Sequence, residues 1–152
     1  MLEEYLKQDI DNPKYLFHGS PKKLEVLVPQ ESHDSRGNSN NLATAVFLFP
    51  SFLKATPYAF KDSIKELSEG KKWNFEIPND DSYPLMRMHN VSLDDELVGY
   101  IYVFNKDDSM IKDEKSYQYK CFKELKPIDV ITVRYGDFSS YYEVLDSEKV
   151  LK

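Results

Sequence analysis

The chain has 152 residues, of which 20 are Lys or Arg and 26 are Asp or Glu, so its formal net charge is -6. That length fits one domain with its own core, and an aromatic content of 14% excludes the composition of disordered proteins. The acidic balance excludes the broad basic surface that extended duplex nucleic acid requires. We expect a single folded domain that spans residues 1–152 and has no extended duplex as a partner.

Signals for disulfide formation, membrane insertion and export are missing from the sequence. Cys121 is the single cysteine, so no internal disulfide can form. No apolar segment approaches the roughly 20 residues of a transmembrane helix. The acidic start after Met1 lacks the basic and apolar regions of a signal peptide. These features predict a cytoplasmic protein with no membrane partner.

The first part of the sequence alternates short apolar runs with polar segments. Residues 14–17 are typical of a strand, which His18 ends, and residues 24–27 form a second short apolar run that Pro29 stops. Residues 30–41 contain no aliphatic or aromatic side chain, which predicts an exposed loop outside the core.

A buried strand and a helix are predicted next. Residues 45–49 are apolar and end before a proline, as buried strands do. Ser51 can cap a first short turn, and Thr56 followed by Pro57 supplies an N-cap and a proline at the first helical position. The helix continues with apolar residues at helical spacing and a C-terminal glycine, which places Tyr58 in its first turn. These later residues are Phe60, Ile64, Leu67 and Gly70.

The second half of the sequence is rich in strand signals. The predicted strands carry β-branched or aromatic residues between Asn, Asp and Pro, and they cover residues 73–77, 85–88, 98–104, 117–122 and 128–133. The tail from Asp137 suits a helix capped by that residue, which we favour, and it also suits an edge strand. Helices in the first half and strands in the second predict an α+β domain built on antiparallel sheets.

The commonest catalytic signatures are absent. The sequence has no phosphate-binding glycine loop, no dinucleotide-binding glycine motif, no nucleophile elbow and no zinc-protease motif. One cysteine and three histidines in separate elements, His18, His33 and His89, do not make a thiolate metal site, so no metal is expected. Cys121 falls inside the run 117–122, where a free cysteine is ordinarily inert packing.

An ordered set of residues around the first strand and the helix carries the functional signal. The set is Leu-x-His18-Gly19-Ser20, then the polar loop, then Val-Phe47-Leu-Phe, then Ala-x-x-Tyr58-Ala. This pattern resembles the ADP-ribosyltransferase fold of the diphtheria-toxin and poly(ADP-ribose) polymerase type, whose motif is His-Tyr-Glu. The resemblance runs from about residue 15 to residue 133. It implies two antiparallel sheets that form a cleft, flanked by a few helices.

The resemblance also implies NAD as the bound nucleotide and a role for each motif residue. His18 would bind the nicotinamide ribose, the main chain of Gly19 would bind the carboxamide, and Ser20 would support it. Tyr58 would stack on the nicotinamide ring, with Phe47 in the same cofactor-binding set. A planar ring suits an aromatic face, and a neutral imidazole can hydrogen-bond ribose hydroxyls without a charge penalty. The structural alternatives are a histidine satisfied by the backbone and a tyrosine of the core.

The third motif element departs from the family pattern. Where the family has its catalytic glutamate, the matching residue is Gln118. A glutamine can hydrogen-bond a ribose hydroxyl, but it has no charge with which to stabilise an oxocarbenium-like centre. Glu114 and Glu143 are alternative acids, and a shifted alignment is a further alternative.

Three functions are therefore open at this point. The first is an ADP-ribosyltransferase that uses NAD, with an acceptor that the sequence does not identify. The second is a catalytically inactive module of the same fold that binds a nucleotide or a protein. The third is a domain that serves assembly and binds no nucleotide.

Overall fold

The computed structural model describes residues 2–31, 44–67, 74–76, 85–88, 93–113 and 118–146. Within these residues the α-helices are Leu2–Lys7 (α1), Phe52–Ala55 (α2), Lys61–Leu67 (α3) and Tyr135–Phe138 (α4), and the 3-10 helices are Thr56–Phe60 and Ser139–Tyr141. The strands, numbered β1 to β10 in chain order, are Tyr15–Ser20, Gln30–Glu31, Thr44–Leu48, Asn74–Glu76, Leu85–Met88, Val98–Asn105, Met110–Lys112, Tyr119–Cys121, Asp129–Arg134 and Glu143–Asp146. The predicted α+β class is confirmed.

The described strands form three small sheets. The first sheet has the order β1-β6-β9 and the second has the order β2-β3-β8-β7, and both are antiparallel throughout. The third sheet, β10-β5-β4, is mixed because β10 runs parallel to β5. Antiparallel sheets were predicted and are present, whereas the mixed sheet was not predicted. The finer expectation of an ADP-ribosyltransferase-like pair of sheets around a cleft stays a prediction.

The first sheet separates two hydrophobic clusters because successive side chains of a strand point to opposite faces. One cluster, the helix-side core, packs the helices against one face of this sheet and includes Phe17, Phe52, Phe60, Ile64, Ile101 and Val133. The other, the sheet-side core, lies between the first and second sheets and includes Leu16, Val46, Leu48, Tyr102, Phe104 and Cys121. The side chains of His18 and Ser20 lie on the same face of β1 as Leu16, which is the face toward the second sheet.

Two glycines allow the segment 52–60 to lie directly on the first sheet. A Cβ atom added to Gly19 would meet the Ala55 carbonyl oxygen at 2.2 Å, and one added to Gly99 would meet the Ala59 carbonyl oxygen at 2.2 Å. Any side chain at either position would therefore push the helical segment off the sheet. This close approach brings the segment that carries Tyr58 against the end of β1.

The segment after β3 begins as predicted and then departs from the prediction. Ser51 caps α2, since its Oγ accepts a hydrogen bond from the Lys54 N–H at 3.2 Å. Thr56 is not an N-cap: its hydroxyl donates back to the Leu53 carbonyl at 2.7 Å and also contacts the Tyr142 hydroxyl. The predicted first short turn is α2, and the helix predicted from Pro57 is instead a 3-10 helix followed by α3. Leu67, expected on the buried face, is 50% exposed.

Strand ends and the tail show further differences. β1 continues to Ser20, so the prediction that His18 ends this strand was wrong. Residues 24–27 form no strand, and only Leu27 makes an isolated bridge, to Leu125. The five strands predicted in the second half all coincide with observed strands.

The tail contains both of the structures that were weighed for it. Helix α4 begins at Tyr135, before the predicted cap Asp137, whose carboxylate instead pairs with Arg134 at 2.7 Å. The strand β10 follows at Glu143–Asp146. Several predictions fall outside the described residues: most of the polar loop, His33, His89, Gly70 and Glu114. Among the described helices, none is long and apolar enough to cross a membrane.

Candidate functional site

The first and second sheets meet where β1 passes the end of β3. The main-chain groups of Phe17 and Phe49 exchange two hydrogen bonds of 2.8 Å, which form an isolated antiparallel bridge. Continuing that register would place Gly19 opposite Phe47, but no ladder forms there. Instead the imidazole Nδ1 of His18 lies 2.8 Å from the Phe47 carbonyl oxygen. We call Phe17, His18, Gly19, Phe47 and Phe49 the β1–β3 junction.

His18 is a neutral imidazole with one nitrogen still able to accept. Because a carbonyl oxygen only accepts, the Phe47 contact assigns the ring proton to Nδ1 and leaves a lone pair on Nε2. Burial lowers the pKa of His18 below its ordinary value of 6.5, and the charge of Lys61 lowers it further, against the opposing effect of the Phe47 hydrogen bond. No residue of the described part of the chain hydrogen-bonds to Nε2. The alternative of a histidine satisfied by the backbone therefore holds for Nδ1, and within the described residues it does not hold for Nε2.

Gly19 presents main-chain groups to the same junction. Alternate residues of a strand point their N–H and C=O groups to the same edge, so Gly19 shares the edge that Phe17 uses to bind Phe49. Gly19 is buried, and within the described ranges neither group on this edge has a hydrogen-bond partner. A buried main-chain donor and acceptor without partners are rare, and side by side they match the oxygen and amide nitrogen of a primary carboxamide.

The missing side chain of Gly19 does not face the junction. The Cβ direction points at the Ala55 carbonyl of the helical segment. Glycine is therefore required at this position for helix packing. Only the main-chain edge of Gly19 faces the junction.

Ser20 and Tyr58 flank the junction. Ser20 is buried, with 7% of the residue exposed. Its Oγ accepts a hydrogen bond from the Lys22 N–H at 3.2 Å, which holds the turn that follows β1. The ring of Tyr58 stacks on Phe49 with centroids 5.4 Å apart and planes 28° apart. Tyr58 is half-buried, so its ring packs against the helix-side core as the structural alternative predicted and still reaches the surface.

Gln118 lies beside the junction on the neighbouring strand. The register pairs Phe47 with Lys120 and Leu48 with Tyr119, so its next step places Gln118 opposite Phe49. Residues opposite each other in an antiparallel pair share a face, so Gln118 lies on the same face of the second sheet as Phe47 and Phe49. The structure therefore brings His18, Gly19 and Phe47 to the β1–β3 junction, places Tyr58 against Phe49 on the helix side of the junction, and sets Gln118 one strand away from it.

Sequence reasoning missed two charged groups near these residues. The main-chain N–H of Asp113 donates to the Gln118 carbonyl at 2.9 Å, and the Asp113 carboxylate lies 3.8 Å from the Lys120 ammonium with 8% of its side chain exposed. Lys61, whose charge acts on His18, follows Tyr58 by one turn. The spacing of three residues between Tyr58 and Lys61 could have indicated that Lys61 lies near Tyr58. No local sequence feature indicates that Asp113 lies near Gln118.

The other candidate groups do not assemble a site. Cys121 is fully buried on β8, as predicted, with its Sγ 3.7 Å from the Lys123 carbonyl oxygen. No three His, Cys, Asp or Glu side chains of the described ranges cluster as metal ligands. Glu114 lies outside those ranges, and the side chain of Glu143 is not described. Comparison of the chain with protein-family models, with curated proteins and with solved structures finds no match.

Proposed function

We propose that the β1–β3 junction binds NAD or a related nucleotide and that the protein is ADP-ribosyltransferase-like. The observation that carries this proposal is the unpaired main-chain edge of the buried Gly19 beside the neutral His18. A carboxamide that bound this edge would satisfy both main-chain groups of Gly19, which have no partner within the described residues.

The remaining junction residues fit the same ligand. The Nε2 atom of His18 accepts a hydrogen bond from a ribose hydroxyl, because the Phe47 carbonyl holds the proton on Nδ1. Tyr58 offers an aromatic face whose orientation is fixed by its stacking on Phe49. Ser20 acts on the ligand indirectly, by holding the turn that follows Gly19.

If the protein transfers ADP-ribose, the acceptor would bind on the side of the junction where Gln118 lies. In the reaction the bond between the nicotinamide nitrogen and ribose C1′ breaks, nicotinamide leaves with the bonding electrons, and the acceptor bonds to C1′ while losing a proton. Gln118 can orient a ribose hydroxyl through its amide but contributes no negative charge to the cationic centre. This neutrality favours a second candidate function, a binding module of the same fold that does not transfer ADP-ribose.

Calorimetric titration of NAD, together with measurement of nicotinamide release, tests the proposal. We expect wild-type protein to bind NAD and His18→Ala to weaken binding about tenfold, the effect of one hydrogen bond to the ligand. Thermal unfolding of His18→Ala establishes that the variant is folded. Release of nicotinamide that requires His18 supports the transferase, and binding without release supports the module. A folded wild-type protein that binds no NAD contradicts both.

A further inference from the structure

One main-chain edge of β1 faces away from β6 and offers successive hydrogen-bonding positions. The Lys106 N–H donates to the Lys14 carbonyl at 3.0 Å, so the residues of β1 with even numbers bond to β6. The residues with odd numbers therefore point their N–H and C=O groups to the other edge. Phe17 uses this edge to bind Phe49, and Gly19 has no partner on it among the residues that the structure describes. The position before Phe17 is filled by a side chain.

The carboxamide of Gln8 fills that position, which belongs to Tyr15. Gln8 directly follows α1. Its Oε1 accepts from the Tyr15 N–H at 3.0 Å, and its Nε2 donates to the Tyr15 carbonyl at 2.7 Å. Nε2 also donates to the Pro50 carbonyl at 2.6 Å, so both of its N–H groups are used. Because Pro50 comes directly after Phe49, this one side chain joins β1 to the chain that leaves β3.

The chain after β3 turns into α2 and cannot continue the pairing with β1. The register of the Phe17–Phe49 bridge would place Ser51 opposite Tyr15, but Ser51 is the N-cap of α2. The carboxamide of Gln8 therefore supplies the hydrogen bonds that a strand would otherwise give to Tyr15. Main-chain groups away from water need such partners, so the contact stabilises the observed paths of both segments.

We propose that Gln8 is a positioning residue of the nucleotide site, because it sets how β1 and β3 meet beside Gly19. A single main-chain bridge restrains two strands at one position only. The hydrogen bonds of Gln8 restrain them on one side of the bridge, and the contact of His18 with the Phe47 carbonyl lies on the other side. Without Gln8 the strands shift relative to each other and separate that carbonyl from His18. This inference rests on the proposed function, because the affinity it concerns is that for NAD.

Two substitutions of Gln8 test its contacts. Gln8→Glu has almost the same size and keeps an oxygen for the Tyr15 N–H, but it removes both donors and so breaks the link to Pro50. Gln8→Ala removes the whole carboxamide. The matched control is Tyr5→Phe, which removes the hydrogen bond of 3.0 Å between α1 and Asp129 and leaves Gln8 unchanged.

Binding and amide hydrogen exchange give the first two measurements. Calorimetric titration should show NAD binding weakened about threefold to tenfold in both Gln8 variants and unchanged in Tyr5→Phe. Exchange of the bridge N–H groups of Phe17 and Phe49 should be about tenfold faster in the Gln8 variants than in Tyr5→Phe. The N–H of Ile101, fully buried in the central strand of the first sheet, is the reference for global unfolding.

The imidazole of His18 gives a measurement that a general loss of stability does not change. In the folded protein the Phe47 carbonyl holds the ring proton on Nδ1, and nitrogen chemical shifts from NMR report which ring nitrogen carries it. We expect the share of the Nδ1–H form to fall in Gln8→Glu and Gln8→Ala and to match wild type in Tyr5→Phe. An unchanged share in folded Gln8 variants overturns the inference.

The outcomes separate this inference from the proposed function. If wild type binds NAD and both Gln8 variants bind it equally well, the inference falls and the proposed function stands. Equal losses of NAD affinity in Gln8→Glu and Tyr5→Phe would show that any loosening of α1 has the same effect, which also overturns the inference alone. A folded wild type that binds no NAD overturns the proposed function and the positioning role with it.

Discussion

The imidazole Nδ1 of His18 lies 2.8 Å from the carbonyl oxygen of Phe47, a residue 29 positions later in the chain. Phe47 is also the residue that would face Gly19 if β1 and β3 paired beyond the Phe17–Phe49 bridge. The side chain of His18 therefore satisfies a carbonyl that a strand partner would otherwise bind. As a result the Gly19 edge stays unpaired within the described residues, beside the neutral His18.

Acidification is expected to destabilise the fold through His18. Because its folded pKa lies below the ordinary 6.5, the unfolded chain takes up the proton first, and the free energy of unfolding falls as pH falls. This stabilisation is complete above the unfolded pKa and is lost as pH decreases through the folded pKa. Urea unfolding between about pH 8 and about pH 5 measures it. His18→Ala should show a smaller dependence on pH, and an equal dependence in both proteins would contradict the assignment.

Binding of NAD should follow the same titration. Protonation converts Nε2 of His18 from an acceptor into a donor. We therefore expect the affinity for NAD to fall when the pH drops below the folded pKa of His18. Calorimetry across the same pH range checks this, and an affinity that rises on acidification would show that the ligand accepts a hydrogen bond from His18.

Substitution of Gly19 by alanine should destabilise the protein by about 1–3 kcal/mol or more. The added methyl group would lie 2.2 Å from the Ala55 carbonyl oxygen, so the helical segment must move away from the first sheet. Gly99→Ala is the matched variant, because its Cβ would meet the Ala59 carbonyl at the same distance without touching the junction. Both variants should lose free energy of unfolding in urea. If either variant had the same free energy of unfolding as wild type, that result would argue against the close packing of segment 52–60 on the first sheet.

Alkaline pH should destabilise the fold through buried tyrosines. Burial raises the pKa of Tyr142 above its ordinary value, and burial with a hydrogen bond to Asp129 raises the pKa of Tyr5 to about 12. The unfolded chain therefore loses these protons first as pH rises. The contribution of these tyrosines to the free energy of unfolding is complete below about pH 10 and decreases as pH rises above it. Urea unfolding between about pH 8 and about pH 11 checks the sign.

Tyr142→Phe separates the two contributions of that tyrosine. The Tyr142 hydroxyl contacts the Thr56 hydroxyl, which itself donates to Leu53, so removing the Tyr142 hydroxyl should cost about 1 kcal/mol at neutral pH. The variant should also lose stability less steeply with alkaline pH than wild type. Tyr15→Phe, whose hydroxyl contacts Glu4 at the surface, is the control at neutral pH and should change stability by less than about 0.5 kcal/mol.

A carboxylate introduced at position 118 should favour transfer. Gln118→Glu places a negative charge opposite Phe49, where it can stabilise a cationic centre at ribose C1′, and nicotinamide release should rise by about 100-fold. Gln118→Ala is the control and should show no increase. NAD binding that persists in Gln118→Glu without any increase in release would favour the binding module over the transferase.

Local sequence was sufficient for the elements whose formation depends on neighbouring residues. The run of residues 85–88 was predicted with its observed ends, and Ser51 caps α2 as its position before the helix indicated. Thr56 shows where local rules fail, because its hydroxyl contacts Tyr142, which lies 86 positions away. A tertiary contact of that kind outweighs a capping preference of about 1 kcal/mol.

The sequence by itself determined the α+β class, the strand patterns and the order of His18, Gly19, Ser20 and Tyr58, because these follow from local alternation and residue type. Only the tertiary structure decided which edge of β1 stays unpaired, why Gly19 has no side chain and which charge acts on His18. Strand pairing stops after the Phe17–Phe49 bridge through contacts between distant segments. Propensity and spacing carry no information about such contacts, which is why the His18–Phe47 hydrogen bond, the Asp113–Lys120 pair and the effect of Lys61 were visible only in the folded chain.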